Sequence, residues 1–217
     1  MSASTESTYE YQGPKRGADR ALLLAHGAGA DMHAPNLTVF SDALADAKIP
    51  SLRFNFPYTQ AGRRSPDRPP VLLAAVRDAA AELAARTKLP PDRLVLGGRS
   101  MGGRICSMVV GDAEDPLPAL GLVLLAYPLH PPGKPEKLRI EHFARLRVPC
   151  LFVSGTRDAF GAPDELRAQT KKIKGKVSWH WIDTADHGFK PVKASGLTPQ
   201  AALDAAAAEV VTFVREL

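Results

Sequence analysis

Apolar positions along this chain fall into two alternating patterns. The first is a set of short, nearly continuous apolar runs: Ala21 to Ala25, Leu94 to Leu96, Leu120 to Ala126 and Cys150 to Ser154. Runs of this length suit strands of a parallel sheet covered on both faces. Ser51 to Phe56 and Val177 to Ile182 alternate instead, the latter setting Trp179 and Trp181 against Ser178 and His180, and both read as strands. Tyr9 and Tyr11 alternate with polar neighbours and predict a short edge strand. The second pattern is helical. Leu37, Phe40, Ala43, Leu44 and Ala47 recur at helical spacing within Pro35 to Ala47. Further helices are expected over Val71 to Thr87, Gly102 to Val110 and Pro163 to Lys172. Thr198-Pro199, an N-cap followed by proline, opens the closing helix. Two stretches carry no clear period. Residues 59–70 read as a loop, and Tyr127 to Arg147 is polar and proline-rich, with a short helical candidate at Glu141 to Leu146.

At least six strands thus alternate with five or six helices. That order predicts an α/β fold: a doubly wound, mostly parallel sheet of six to seven strands with helices on both faces. The organisation expected is a polar N-terminal segment over residues 1–18 and one domain over residues 19–217. A length of 217 residues suits a sizeable core, and 45% hydrophobic with 24% charged residues is ordinary for a soluble protein. The formal charge of +5 permits attraction to anions. The lysine run from Lys171 to Lys176 has no interleaved aromatics and reads as a solvated helix end, so no nucleic-acid partner is expected. Residues 1–11 lack the apolar core of a secretory signal, and no apolar run reaches membrane-spanning length. Cys106 and Cys150 lie in apolar runs and form no disulfide framework, pointing to a reduced, cytoplasmic setting. Neither zinc-ligand spacing nor a nucleotide-binding glycine pattern occurs, so neither metal nor cofactor is expected.

In a doubly wound sheet, chemistry collects in loops after the carboxyl ends of strands. The sharpest candidate is Gly98-Arg99-Ser100-Met101-Gly102, which fits G-x-S-x-G between an apolar strand and a helix start. A side chain at either flanking glycine would collide with neighbouring backbone, and the tight turn lifts the serine hydroxyl above the sheet. His26, Gly27, Ala28 and Gly29 follow the first strong strand. Asn55 and Tyr58 follow the next, Tyr127 and His130 follow Leu120 to Ala126, Asp158 follows Cys150 to Ser154, and His187 follows the last strand. Nucleophile, acid and histidine therefore meet one sheet edge in the chain order Ser, Asp, His.

On these residues, from about Ala21 to Leu217, the sequence resembles the α/β-hydrolase superfamily, and within it small members lacking a large cap, akin to dienelactone hydrolases. The anchoring segments are His26 to Gly29, Gly98 to Gly102, Gly155 to Asp158 and Asp186 to Gly188. The resemblance implies a Ser100, Asp158 and His187 triad acting on a small-molecule acyl substrate, without cofactor. Dienelactone hydrolases typically carry a cysteine nucleophile; Ser100 here implies a serine esterase. Met101 and Ala28 are the expected oxyanion donors, with Gly27 or Gly29 as alternatives to Ala28. Gly27, Gly29, Asn55, Tyr58, Arg99 and His130 are the expected substrate neighbours.

Each candidate has a plainer reading. His187 could cap its own loop, and Asp158 could serve only a turn; Asp186 is a rival acid, but it adjoins His187 and would have to fold back to reach it, and Asp183 is also too near. His26 is expected to shape its glycine loop, His33 and His142 to lie at the surface, and His180 to face away from the tryptophans. Arg99 and Arg104 could form surface salt bridges, although Arg99 beside the serine could also meet an acidic substrate. Two other functional classes share the sequence: a non-catalytic scaffold binding a partner protein, and a peptidase or thioesterase using the same triad. The stretch from Tyr127 to Cys150 is too short for a lid domain, so an open cleft suited to small acyl groups is expected.

Overall fold

The computed structural model describes residues 8–217; residues 1–7 of the expected N-terminal segment lie outside the described residues. Seven strands form one sheet: β1 (Tyr9–Gln12), β2 (Ala21–Ala25), β3 (Ser51–Phe54), β4 (Leu94–Arg99), β5 (Gly121–Leu125), β6 (Cys150–Gly155) and β7 (Val177–Ile182). Their spatial order is β1-β3-β2-β4-β5-β6-β7. β1 runs antiparallel to β3, and every other pair is parallel.

Helices α1 (Pro35–Asp46) and α6 (Pro199–Glu216) cover one face, where Leu37, Phe40, Val210 and Val214 pack on Leu22, Leu24, Val95, Val123 and Val153. Helices α3 (Pro69–Thr87) and α4 (Met101–Val110) cover the other, packing Leu72, Val76, Leu83, Ile105 and Val109 on Leu23, Leu52, Leu96, Leu122 and Leu124. Successive strand residues therefore face two different apolar layers, which is why the central strands read as continuous apolar runs. A short helix α5 (Pro163–Thr170) precedes β7.

Proline places several helix starts. α3 begins at Pro69, two residues before the expected Val71, because Pro69 and Pro70 occupy the first turn, where an absent N–H costs nothing. Thr198 Oγ1 accepts from Ala201 N at 3.1 Å and caps α6 as the sequence predicts. A strand end and loop were the expectation around Pro57, yet Pro57–Gln60 forms a helical turn, α2. Phe56 and Tyr58 on either side of Pro57 are both buried, and that tertiary anchoring holds a turn too short for periodicity to announce.

The strand order reverses beside β2. α1 carries the chain to β3 on one side, and α3 carries it back across the opposite face to β4 on the other. The carboxyl ends of β2 and β4, with Ala25 opposite Gly98, therefore open onto the topological switch point, where crevices form in such sheets.

Candidate active site

The turn from β4 into α4 is built by exclusion. A Cβ on Gly98 would stand 2.2 Å from the Ala25 carbonyl oxygen, and one on Gly102 would stand 2.3 Å from the same oxygen. Both glycines of G-x-S-x-G are thus required by one carbonyl of the neighbouring strand. Ser100 between them takes φ 51° and ψ −115°, a sparsely populated conformation for a residue with a side chain. Ser100 N donates to Leu125 O at 2.8 Å, which fixes the turn against β5. The hydroxyl caps no helical N–H and projects toward the β7–α6 connection.

There His187 Nε2 lies 2.9 Å from Ser100 Oγ, and His187 Nδ1 lies 2.8 Å from Asp158 Oδ2. A carboxylate can only accept here, so Nδ1 carries the ring proton and Nε2 is left to accept from the serine. Asp158 is 3% exposed, and its other oxygen accepts from Phe160 N at 2.8 Å. Phe160 stacks on the imidazole with ring centroids 4.1 Å apart. The rival acid Asp186 is committed elsewhere: its Oδ1 accepts from Gly188 N at 2.7 Å and Lys190 N at 3.0 Å, closing its own loop. Asp183 accepts from Thr156 Oγ1 at 3.3 Å.

Two further contacts bind the loops together. Thr156 Oγ1 accepts from Thr184 N at 2.7 Å, and Arg157 N donates to Ala185 O at 2.9 Å, so the acid and histidine loops share a frame. Arg99 donates through Nη2 to the His187 carbonyl and lies 5.5 Å from the Phe189 ring centre. Burial pushes its guanidinium below its ordinary value, against the opposing pull of Asp158 and Asp186. Neither Arg99 nor Arg104 forms an ion pair among the described residues, so the surface salt bridges considered for them do not occur.

On the β2 side, His26 is fully buried. Its Nε2 accepts from Phe56 N at 3.1 Å, which leaves Nδ1 protonated and donating to Gly27 O at 2.8 Å. Burial lowers its pKa, in keeping with this neutral form. The peptide that follows is planar and trans, so the Ala28 N–H points opposite to the tethered Gly27 carbonyl, away from the buried ring. A Cβ on Gly27 would come within 3.7 Å of Ser100 Cβ, so this loop abuts the serine directly.

Gly27, Ala28, Arg99, Ser100, Met101 and His187 line a common cleft of about 480 Å³, walled further by Asp67, Leu72, Arg104, Pro128, Arg139 and Phe160. Four expected substrate neighbours do not line it. Tyr58 is fully buried, stacked near Phe56 with centroids 6.3 Å apart. Asn55 turns its Oδ1 to Met32 N at 2.8 Å and borders a separate cleft of about 570 Å³ with Tyr9, Phe54 and Pro57. Gly29, at φ 71°, serves the turn of its loop. His130 is 5% exposed, its Nδ1 against Pro131 O at 2.8 Å and its Nε2 3.4 Å from Glu165. Conversely, Asp67, Arg104, Arg139 and Phe160 line the cleft without a sequence signal for it; they come from separate segments that only the folded chain brings together.

His142, expected at the surface, is buried beside Ser107, with Nε2 2.7 Å from Ser107 Oγ. Ser107 Oγ also donates to Arg104 O at 2.8 Å. Both contacts are met when Nε2–H donates to the hydroxyl, so this imidazole has no lone pair facing its serine. Burial, then the charges of Arg104 and Arg145, pull the His142 pKa to about 3. Cys106 and Cys150 are free and buried, and burial pushes both thiols up to about 12, far from thiolate chemistry at neutral pH. Among the described residues no group of His, Cys, Asp and Glu is arranged to hold a metal ion, and no helix is long and apolar enough to cross a membrane.

Solved structures share this architecture at low identity. An alpha-beta serine hydrolase homologue from Coxiella burnetii is 19% identical, with a TM-score of 0.69 over 96% of this chain and 90% of that one. A dienelactone hydrolase from Anabaena variabilis is 16% identical, with a TM-score of 0.70 over 99% and 94%. Est1E from Butyrivibrio proteoclasticus, solved with ferulic acid bound, is 14% identical, with a TM-score of 0.68 over 96% and 92%. These likenesses show the fold. Residues 18–215 match the alpha/beta hydrolase domain family, and the chain belongs to that family.

Proposed function

We propose that this protein is a serine hydrolase that cleaves a carboxylic ester or related acyl bond through an acyl-enzyme intermediate. The observation that carries this reading is the hydrogen-bonded line from Asp158 through His187 to Ser100 at the floor of the cleft. Ser100 is a weak nucleophile at its own pKa and needs a positioned base. His187 Nε2 takes its proton as Oγ attacks the acyl carbon, then returns the proton to the leaving oxygen. Asp158 keeps Nδ1 protonated and stabilises the imidazolium that forms. Water, activated by the same imidazole, then releases the acid.

The attacked carbonyl oxygen gains charge and needs fixed donors. Met101 N–H, at the first turn of α4, supplies one, with the helix dipole behind it. Ala28 N–H supplies the other. Its direction follows from the His26 tether on Gly27 O, which favours Ala28 over Gly27 and Gly29. Each such donor contributes about 3–4 kcal/mol to the transition state. Between Leu125 and Cys150 the only helical element is a single turn, Phe143–Arg145, so the cleft carries no lid domain and suits short acyl groups.

A fluorophosphonate probe tests the reading directly. Wild type should be labelled with loss of fluoride, and Ser100→Ala should lose both the label and at least about 10³-fold of p-nitrophenyl ester turnover. Labelling that persists in Ser100→Ala would overturn the assignment. Folded wild type that never labels would favour a partner-binding scaffold on the same fold.

A further inference from the structure

We propose that the cleft selects acyl substrates that carry a carboxylate, held by Arg104 and Arg139. This inference rests on the hydrolase reading above and names its substrate class. Three arginines, Arg99, Arg104 and Arg139, line the cleft that also holds Ser100 and His187. Arg99 is already committed to the His187 carbonyl. The Arg104 guanidinium donates from Nη1 to the Met108 thioether Sδ at 3.3 Å, a weak, uncharged acceptor.

Neither Arg104 nor Arg139 has an ion-pair partner among the described residues. The one carboxylate on the lining, Asp67, is held by Arg63 at 2.6 Å. Glu141 contributes to the field at Arg139 without pairing with it. Arg104 and Arg139 are both half-buried on this one lining without an ion pair among the described residues, and burial together with the Arg104 charge pushes the Arg139 guanidinium below its ordinary value, against the opposing pull of Tyr127 and Glu141. A purely structural role would call for an acid between them. A planar carboxylate entering the cleft would supply it, taking up the N–H donors of the two guanidinium planes.

The test uses matched esters: p-nitrophenyl hydrogen adipate against its methyl ester for an anion on the acyl side, and 4-acetoxybenzoate against its methyl ester for one on the leaving side. Spontaneous hydrolysis is subtracted throughout. At low ionic strength wild type should prefer the anionic member in at least one arm by about tenfold in kcat/KM, and added salt should shrink that ratio. Arg104→Gln, Arg139→Gln and the double variant should bring it toward one. The ratio is read within each protein, so a general loss of activity cancels. Adipate binding by calorimetry gives a readout free of turnover. Binding that is lost in the double variant supports the anion site even if Ser100 never labels, in which case only the hydrolase reading falls. A ratio near one in both arms of an actively labelling wild type, a preference that survives in the double variant, or no adipate binding to a wild type that does not label overturns the proposal.

Discussion

Helix α4 carries two serine–histidine pairs, one at its start and one two turns along, and their distances are nearly equal: 2.9 Å for Ser100–His187 and 2.7 Å for Ser107–His142. Distance alone does not distinguish them; proton placement and access do. Asp158 accepts from His187 Nδ1–H and so leaves a bare Nε2 facing Ser100, whereas His142 Nε2–H donates to Ser107, whose hydroxyl donates to Arg104 O. Ser100 lines the cleft, while Ser107 is fully buried. One pair is arranged to move a proton, and the other is a satisfied polar contact inside the core.

The strongest way to break this contrast is to remove the group that sets the tautomer. Asp158→Asn keeps the shape but lets His187 turn its proton toward Ser100, and ester turnover should fall by about 10⁴-fold with the melting temperature little changed. Retention of most activity would show that Asp158 only serves its turn with Phe160. A smaller effect sharpens the other pair. The His142 pKa lies at about 3 in the folded chain against 6.5 for the free group, so between those values the unfolded chain binds the extra proton. Stability is therefore full above about pH 6.5 and declines as pH falls toward 3, by up to about 1.4 kcal/mol per unit. His26, also depressed by burial, adds a slope of the same sign. Urea melts at pH 7 and pH 5 should show a smaller loss in His142→Gln than in wild type; equal losses would mean that the buried imidazole does not resist protonation. The smallest effect on the chemistry belongs to Ser107→Ala, which strands a buried N–H and should cost about 1–3 kcal/mol of stability while fluorophosphonate labelling of Ser100 proceeds as before. Loss of that labelling in a folded Ser107→Ala protein would place the second pair in the chemistry after all.

The two pairs also show why some residues were legible in the sequence and others were not. Gly98 and Gly102 announce the turn because local backbone crowding forbids anything larger, and such a constraint leaves a fixed spacing. His187 and Asp158 are found through their places after successive strands, since a parallel sheet brings all such loops to one edge. His142 reads as a surface residue because its segment is proline-rich and carries the charged Arg139, Glu141 and Arg145, yet the chain returns it against Ser107 of α4. His130 and Tyr58 sit in the right loops but turn inward, a choice made by rotamer and packing rather than by position in the chain.

The sequence by itself determined the alternation of strands and helices, the doubly wound sheet and the elbow at Ser100, because these rest on periodicity and on sterics between near neighbours. Only the tertiary structure decided which histidine presents a free nitrogen, which arginines stand unpaired in the cleft and which carbonyl His26 tethers. Those outcomes depend on groups far apart in the chain meeting at hydrogen-bond distance, and no local pattern records such a meeting.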